Sequence, residues 1–483
     1  MHRHPWIALA LLACACGHEH ASATEQERAE EPAPEPATIE DAYRAPVGRI
    51  VERSQASEFA WAWLETLCVD IGHRISGSAS LERAVDWSAT ELESIEGVEV
   101  TRQPVEVPAW VRGQERLTLL GETEEPLEMI GLGMSVGTPE GGVEGEVVVV
   151  DSVDAIDARG DALAGKIVLI DQAMPAYDEE ELETGYGETV SIRTQGPARA
   201  AAHGALAVLI RSVTAAPQSP PHTGATRYPD EGPRIPGAAV TVPVAERLHR
   251  MIDAGEAPRV RLEMGAQLLD EPATSHNVIA ELRGAELPDE IVVFGGHIDS
   301  WDVGQGCHDD ASGVVSAMAA LRILVELGLR PRRTIRAVLF TNEENGLGGA
   351  RAYEADHYGD GLHVAGIESD IGAARVIGLT IQTEDVREAV GLSQVGSIVS
   401  LLEPIGLTRT EASFGGADLI PLREHGVPAI GVIHDPAHYF DLHHTAADTL
   451  EAVDHDDFLQ GVAVMAATAY VVADMEPRLT NPR

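Results

Sequence analysis

Two imidazoles and four carboxylates crowd one short stretch of this sequence, residues 291–313, IVVFGGHIDSWDVGQGCHDDASG. These are the side chains that bind divalent metals and carry protons in catalysis. The stretch opens with Ile291, Val292, Val293 and Phe294, a short β-branched run that reads as a buried strand. His297 and Asp299 fall just past the carboxyl end of that strand. Asp302, His308, Asp309 and Asp310 follow in a glycine-punctuated loop, and the apolar-periodic segment 314–327 then reads as a helix. Ligands of open α/β sheets bind outside the carboxyl ends of the strands, and this loop falls in that place.

Other strand ends carry the same chemistry. Glu343 and Glu344 follow the expected strand 334–340, and Asp370 follows the expected strand 363–368. His444 lies in HHTAADT, after the last expected strand, 429–433. His297, Asp309, Glu343, Glu344 and Asp370 thus fall on one rim of one sheet, with His444 on a later loop that can reach it. The set is mixed N/O and suits a divalent ion such as zinc. Two histidines and three carboxylates exceed one four-coordinate site and match two ions sharing a bridging carboxylate, a pair that supplies an acidified water and a polarised carbonyl. In Glu343–Glu344 the second residue is the ligand and the first is free to take a proton.

The elements that must hold these residues alternate between strand and helix. Strands are expected at 278–282, 290–294, 334–340, 363–368, 376–382 and 429–433, and helices at 314–327, 347–355, 386–402 and 450–473. Such alternation implies a layered, mostly parallel sheet. Upstream, helices are expected at 59–64 and 84–92 and strands at 98–101 and 116–120, all assigned to this α/β layer. Between 127 and 266 the texture changes to short apolar strands (145–150, 165–170, 205–209), a small Ala-rich helix at 198–203 and a Pro/Gly-rich loop at 218–236. That segment has no cluster of metal-type ligands and is read as an inserted domain.

The chain has 483 residues, 44% of them apolar, and a formal net charge of −44, with Lys166 its single lysine. That balance argues against nucleic acid as a partner and describes a solvated acidic surface. Residues 1–16 read as an export signal: Arg3, a short apolar core too short to span a bilayer, then LLACAC, which resembles a bacterial lipoprotein cleavage box with Cys14 or Cys16 as the lipidated residue. The chain is therefore expected in the periplasm, at the outer membrane or secreted, with membrane contact only through that anchor. Residues 17–46, rich in Glu, Pro and Ala, read as a tether. Cys68 and Cys307 alone remain beyond the signal, so no disulfide framework is expected. Cys307 is read as a packing residue.

GGHIDSWDVGQGCHDDASG, FTNEENGLGGA, IESDIG and HHTAADT resemble the motifs of the co-catalytic zinc exopeptidases. GHIDSWDVGQG and VDIGHRISGS are most similar to the carboxypeptidase Q-like branch, and the likeness runs over roughly residues 50–475. GKIVLI and ARAAAHGALAVLI resemble a protease-associated domain. The resemblance implies a three-layer α/β/α sandwich with a mixed, mostly parallel central sheet plus a small β-rich insert. Together with the signal 1–16 and the tether 17–46 read above, it divides the chain into catalytic part 47–126, insert 127–266 and catalytic part 267–483. It implies two zinc ions per chain, one held by His297 and Asp370 and the other by Glu344 and His444, with Asp309 as the bridge. The 12-residue step from His297 to Asp309 fits the family spacing. Glu343 is then the general base, and Asp299 is expected to orient His297 through its other ring nitrogen. His443, where some relatives carry tyrosine, is a candidate oxyanion donor or substrate contact. Asp302 is read as a loop stabiliser, Asp310 as backbone support and His308 as a loop residue. Asp418 is read as a helix start beside the pocket, with a substrate contact as its alternative.

The function implied is hydrolysis of dipeptides or short peptides with a free amino terminus. The alternatives on the same scaffold are a non-catalytic receptor, which would have lost the ligands, and a glutaminyl cyclase, which usually holds one metal. The resemblance also implies a homodimer.

Overall fold

The computed structural model describes residues 38–180 and 183–480. The expected signal 1–16 and most of the expected tether lie outside them. The end of the expected tether is helical instead: Ile39–Gln55 forms one helix that runs through Pro46. Tyr43, Val47 and Ile50 recur on one face of it and are buried, and that apolar stripe outweighs the acidic, Pro-rich composition before it.

The main sheet has eight strands. Its centre is Arg333–Phe340, Leu287–His297, Leu362–Glu368 and Ala429–His434, paired in parallel in that order. All eight residues of Arg333–Phe340 are buried, as a strand covered on both faces requires. Val98–Val107 and Ala273–Leu282 extend one side in antiparallel pairing. Val376–Ile381 and Arg409–Ala412 extend the other. The helices Ile39–Gln55, Ser312–Glu326, Asp385–Leu402 and His455–Asp474 share one large apolar core with one face of the sheet. Gly348–His357 and Ile420–Arg423 cover the opposite face. Each strand and helix expected between 278 and 473 is present, with ends shifted by a few residues.

A second eight-stranded sheet lies within the middle of the sequence. Val143–Val150, Ile167–Ile170, Ala207–Arg211 and Gly237–Val240 run parallel in its centre, with the helices Val153–Arg159, Ser191–Ala202 and Val242–Asp253 around them. Glu115–Leu120 pairs with Arg259–Met264 in this sheet rather than joining the main one. The boundary expected at 126/127 therefore falls too late. A short apolar strand carries a period but no label for the sheet it joins. The physical junction is visible in the register: Val107 faces Ala273, so the chain leaves and re-enters the main sheet at neighbouring positions.

Candidate metal and catalytic centre

The parallel strands end level with one another: His297 is in register with Phe340, Gly295 with Glu368, and Glu368 with Gly431. Everything that follows these strands opens onto one rim. His297 Nε2 lies 3.0 Å from Asp370 Oδ1 and 3.1 Å from Asp309 Oδ1. His444 Nε2 lies 3.2 Å from Asp309 Oδ2 and 3.1 Å from Glu344 Oε2. Asp309 thus turns one oxygen to each imidazole, with a further carboxylate beyond each. The five side chains are nearly closed to solvent except Asp370, 23% exposed, which marks the open side. A narrow recess is lined by Trp301, Asp309, Glu344, His444 and Asp448.

Several hydrogen bonds fix this arrangement. Asp448 accepts the main-chain N–H groups of Cys307 (3.0 Å), His308 (2.7 Å) and Asp309 (3.2 Å), and so clamps the loop that presents Asp309. Asp310 accepts from His297 N (3.1 Å) and Gly313 N (3.0 Å), the backbone support expected of it. Arg74 is fully buried and donates to the carbonyls of Gly72, Ile298, Gln305 and Gly306, stitching down both ends of the loop. Asp302 pairs with Arg112. His308 accepts from Ala373 N and donates to Ala452 O, so both of its ring nitrogens are used away from the cluster. Asn342 (φ +66°) and His444 (φ +61°) sit in the left-handed region, a conformation that non-glycine residues keep only where their surroundings enforce it.

Two expected contacts differ. His297 Nδ1 donates to the main-chain oxygen of Asp299 at 3.0 Å, whereas the Asp299 carboxylate stays 3.8 Å away. That carboxylate accepts from Ser76 Oγ (3.1 Å) and Glu343 N (3.0 Å) instead, so the Asp299 side chain positions the base and its main-chain oxygen orients His297. The reason is steric: two residues on from His297, the carbonyl is already in reach of Nδ1. His443 Nε2 is turned toward Asp309 Oδ2 at 3.8 Å, and its ring stacks on His444 with centroids 3.5 Å apart. Ligand atoms of Asp309, His443 and His444 lie within 4.8 Å of one another, as do those of His297, Asp309 and Glu344.

The electrostatics are those of a cation site. Burial opposes charge on Asp309, yet the hydrogen bonds of His297 and His444 hold its carboxyl well below the usual range. Burial also opposes charge on His297, but Asp370 and Asp309 keep it well above the ordinary imidazole value. Burial and the Asp309 charge push Glu344 up to about 7, and burial with the charges of Asp370, Glu344 and Asp299 raises Glu343 well above the carboxylate range. Protons hold this crowd of acids together, and divalent ions would displace them. Glu344 Oε1 is buried without a hydrogen-bond partner, an orphan that a ligated ion would satisfy. The donors present fit two such ions.

The segment between the two halves of the main sheet also reaches the centre. Thr223 N donates to His444 O (3.0 Å), Arg193 Nη1 lies 3.2 Å from His444 Nδ1, and Arg193 Nη2 donates to Tyr186 Oη (2.8 Å). The sequence held no signal for Tyr186, Arg193 or Thr223, which are single polar residues with no metal-type neighbours. Arg74 and Asp448 lay inside VDIGHRISGS and HHTAADT, so their motifs were visible and their roles were not. Glu368 accepts from the N–H groups of Ala417, Asp418 and Leu419, and buried Asp418 has both oxygens unpartnered beside it.

A three-layer sandwich with paired acids and imidazoles at its strand ends defines a metallopeptidase. The model for peptidase family M28 matches residues 277–470. Carboxypeptidase Q of Bos taurus is 37% identical over 427 residues, 88% of this chain and 87% of that protein. The peptidase M28 precursor of Shewanella amazonensis, a solved structure, has a TM-score of 0.85 and 33% identity over 91% of this chain and 98% of its own. A zinc aminopeptidase of Bacillus subtilis shares the fold, with a TM-score of 0.62 and 20% identity over 87% of this chain and 96% of its own. The chain belongs to peptidase family M28 and is a metallo-exopeptidase.

Proposed function

We propose that the protein hydrolyses the peptide bond of dipeptides or short peptides with a free amino terminus, using two zinc ions. The observation that carries this reading is Asp309, with one oxygen 3.1 Å from His297 Nε2 and the other 3.2 Å from His444 Nε2. In this reading His297 and Asp370 would hold one ion, Glu344 and His444 the other, and Asp309 would be shared between them. When bound, the pair supplies an acidified water and a polarised scissile carbonyl. Glu343 takes the proton of the attacking water and returns it to the departing amine, and burial with the neighbouring acids raises its pKa above the ordinary carboxylate value. Asp299 holds the Glu343 main chain in place for it.

The segment between Val107 and Ala273 acts in this proposal as a protease-associated module that walls the pocket and limits substrate length. Its Arg193 is buried with no carboxylate partner among the described residues. The proposal extends to export through residues 1–16, with Cys14 or Cys16 lipidated, and to a homodimer; mass spectrometry and light scattering check these. Among the described residues no helix is long and apolar enough to cross a membrane.

The test is a panel of free, amino-blocked and carboxyl-blocked dipeptides, assayed with zinc and after chelation. Cleavage of the free dipeptides, lost on chelation and restored by zinc, is expected. Cleavage unaffected by a chelator that removes all metal would overturn the reading.

A further inference from the structure

An acyl-transfer centre needs a hydrogen-bond donor for the negative charge that gathers on the scissile oxygen. His443 was the candidate, but its ring lies flat on His444 and its Nε2 is turned toward Asp309. A second donor reaches the centre from the inserted segment. The Tyr186 ring stacks on Phe440, with centroids 4.4 Å apart and planes 19° apart, and meets His443 edge-on at 5.3 Å. Its oxygen accepts a 2.8 Å hydrogen bond from Arg193 Nη2. A guanidinium has no acceptor to offer in return, so the phenolic proton is left over. No described residue accepts it. The phenol is half-buried. Burial raises its pKa and the guanidinium opposes that; the edge-on contact with His443, which stacks on His444, sets the ring beside the cluster.

We propose that Tyr186 is a catalytic residue: its hydroxyl, fixed and polarised by Arg193, donates a hydrogen bond to the scissile oxygen as charge develops there. No proton leaves the phenol, and no bond of the protein changes. The proposal rests on the peptidase reading above. It gives the inserted segment a direct part in the reaction, since the sheet-borne acids supply the base and this segment supplies the oxyanion donor.

Tyr186→Phe keeps the stack on Phe440 and removes only the hydroxyl. Zinc-loaded wild type and variant are compared on one dipeptide, with bound metal and Tm measured alongside. Affinities for a phosphinic dipeptide, which mimics the tetrahedral state, and for the product amino acid are also measured. The expected result is a kcat lowered ~100-fold, KM within ~3-fold, and unchanged metal content and Tm. The phosphinic dipeptide should bind weaker by about the same factor as kcat falls, while product binding is unchanged. A variant with wild-type kcat, or one whose phosphinic and product affinities fall together, overturns the assignment and leaves the peptidase reading intact. A wild type that cleaves no peptide overturns that reading, and the assignment with it.

Discussion

At the scale of residues, the centre depends on groups that never touch substrate. Asp448 accepts three consecutive main-chain N–H groups, those of Cys307, His308 and Asp309. Asp448→Ala leaves those donors buried and unpaired, and the loop bearing the bridge loosens. Metal affinity should fall ~10–100-fold, as it does when the supports of metal ligands are removed, and competition against a chelator of known affinity measures it. Glu343→Gln behaves in the opposite way: the ligands stay, so metal content stays at the wild-type value while kcat falls by ~10³ or more. Single-turnover kinetics with elemental analysis separates the two cases. An Asp448→Ala enzyme with wild-type metal affinity would show that the loop is held by something else.

At the scale of elements, the strand Leu287–His297 is packed so closely that it needs Gly295 and Gly296. A Cβ on Gly295 would lie 1.9 Å from Val338 O, and one on Gly296 would lie 2.0 Å from Asp310 Oδ2. Gly296→Ala must therefore displace the carboxylate that holds His297 N. A stability loss of roughly 1–3 kcal/mol and substoichiometric metal are expected, read by denaturant titration and elemental analysis. The neighbouring strand Leu362–Glu368 buries His363, whose Nε2 meets Tyr353 Oη and whose pKa burial pushes down to about 4. The unfolded chain keeps the ordinary value, so as pH falls below about 6.5 it takes up a proton that the folded chain refuses. The stabilisation is complete above that value and is lost as pH falls toward 4, by roughly 2 kcal/mol between pH 6.5 and pH 5. His434, pushed down to about 4 by burial, acts in the same direction. His363→Gln should reduce the drop in Tm between pH 7 and pH 5, and an equal drop would mean that His363 protonates as readily folded as unfolded. These elements were legible because their signal is local. Runs such as Ile291–Phe294 alternate with helical periods, and a strand end locates its own neighbours His297 and Asp370. Sheet membership is not local, which is why Glu115–Leu120 was assigned to the wrong sheet.

At the scale of the whole molecule, a long insertion is tolerated because Val107 and Ala273 are paired residues of one antiparallel ladder. The segment between them reaches back over the rim through Thr223, Arg193 and Tyr186. Arg193 and His444 are 251 residues apart in sequence, and no period or spacing links them. The convergence of the candidate ligands could be read from the chain because His297, Asp309, Glu344, Asp370 and His444 follow strands of one sheet. The residues that close the site from outside that sheet could not. A cluster in which protons stand in for cations predicts strong linkage between metal and folding. Zinc at 100 times its dissociation constant should add ~2.7 kcal/mol, so full chelation should lower Tm by several degrees, and a Tm indifferent to chelation would contradict a built cation site. The most direct measurement is anomalous diffraction at the zinc edge from crystals of the zinc-loaded protein. Two peaks ~3.5–4 Å apart, one beside His297 and Asp370, the other beside Glu344 and His444, with Asp309 between them, are the predicted result. A single peak, or zinc bound away from Asp309, would contradict the account.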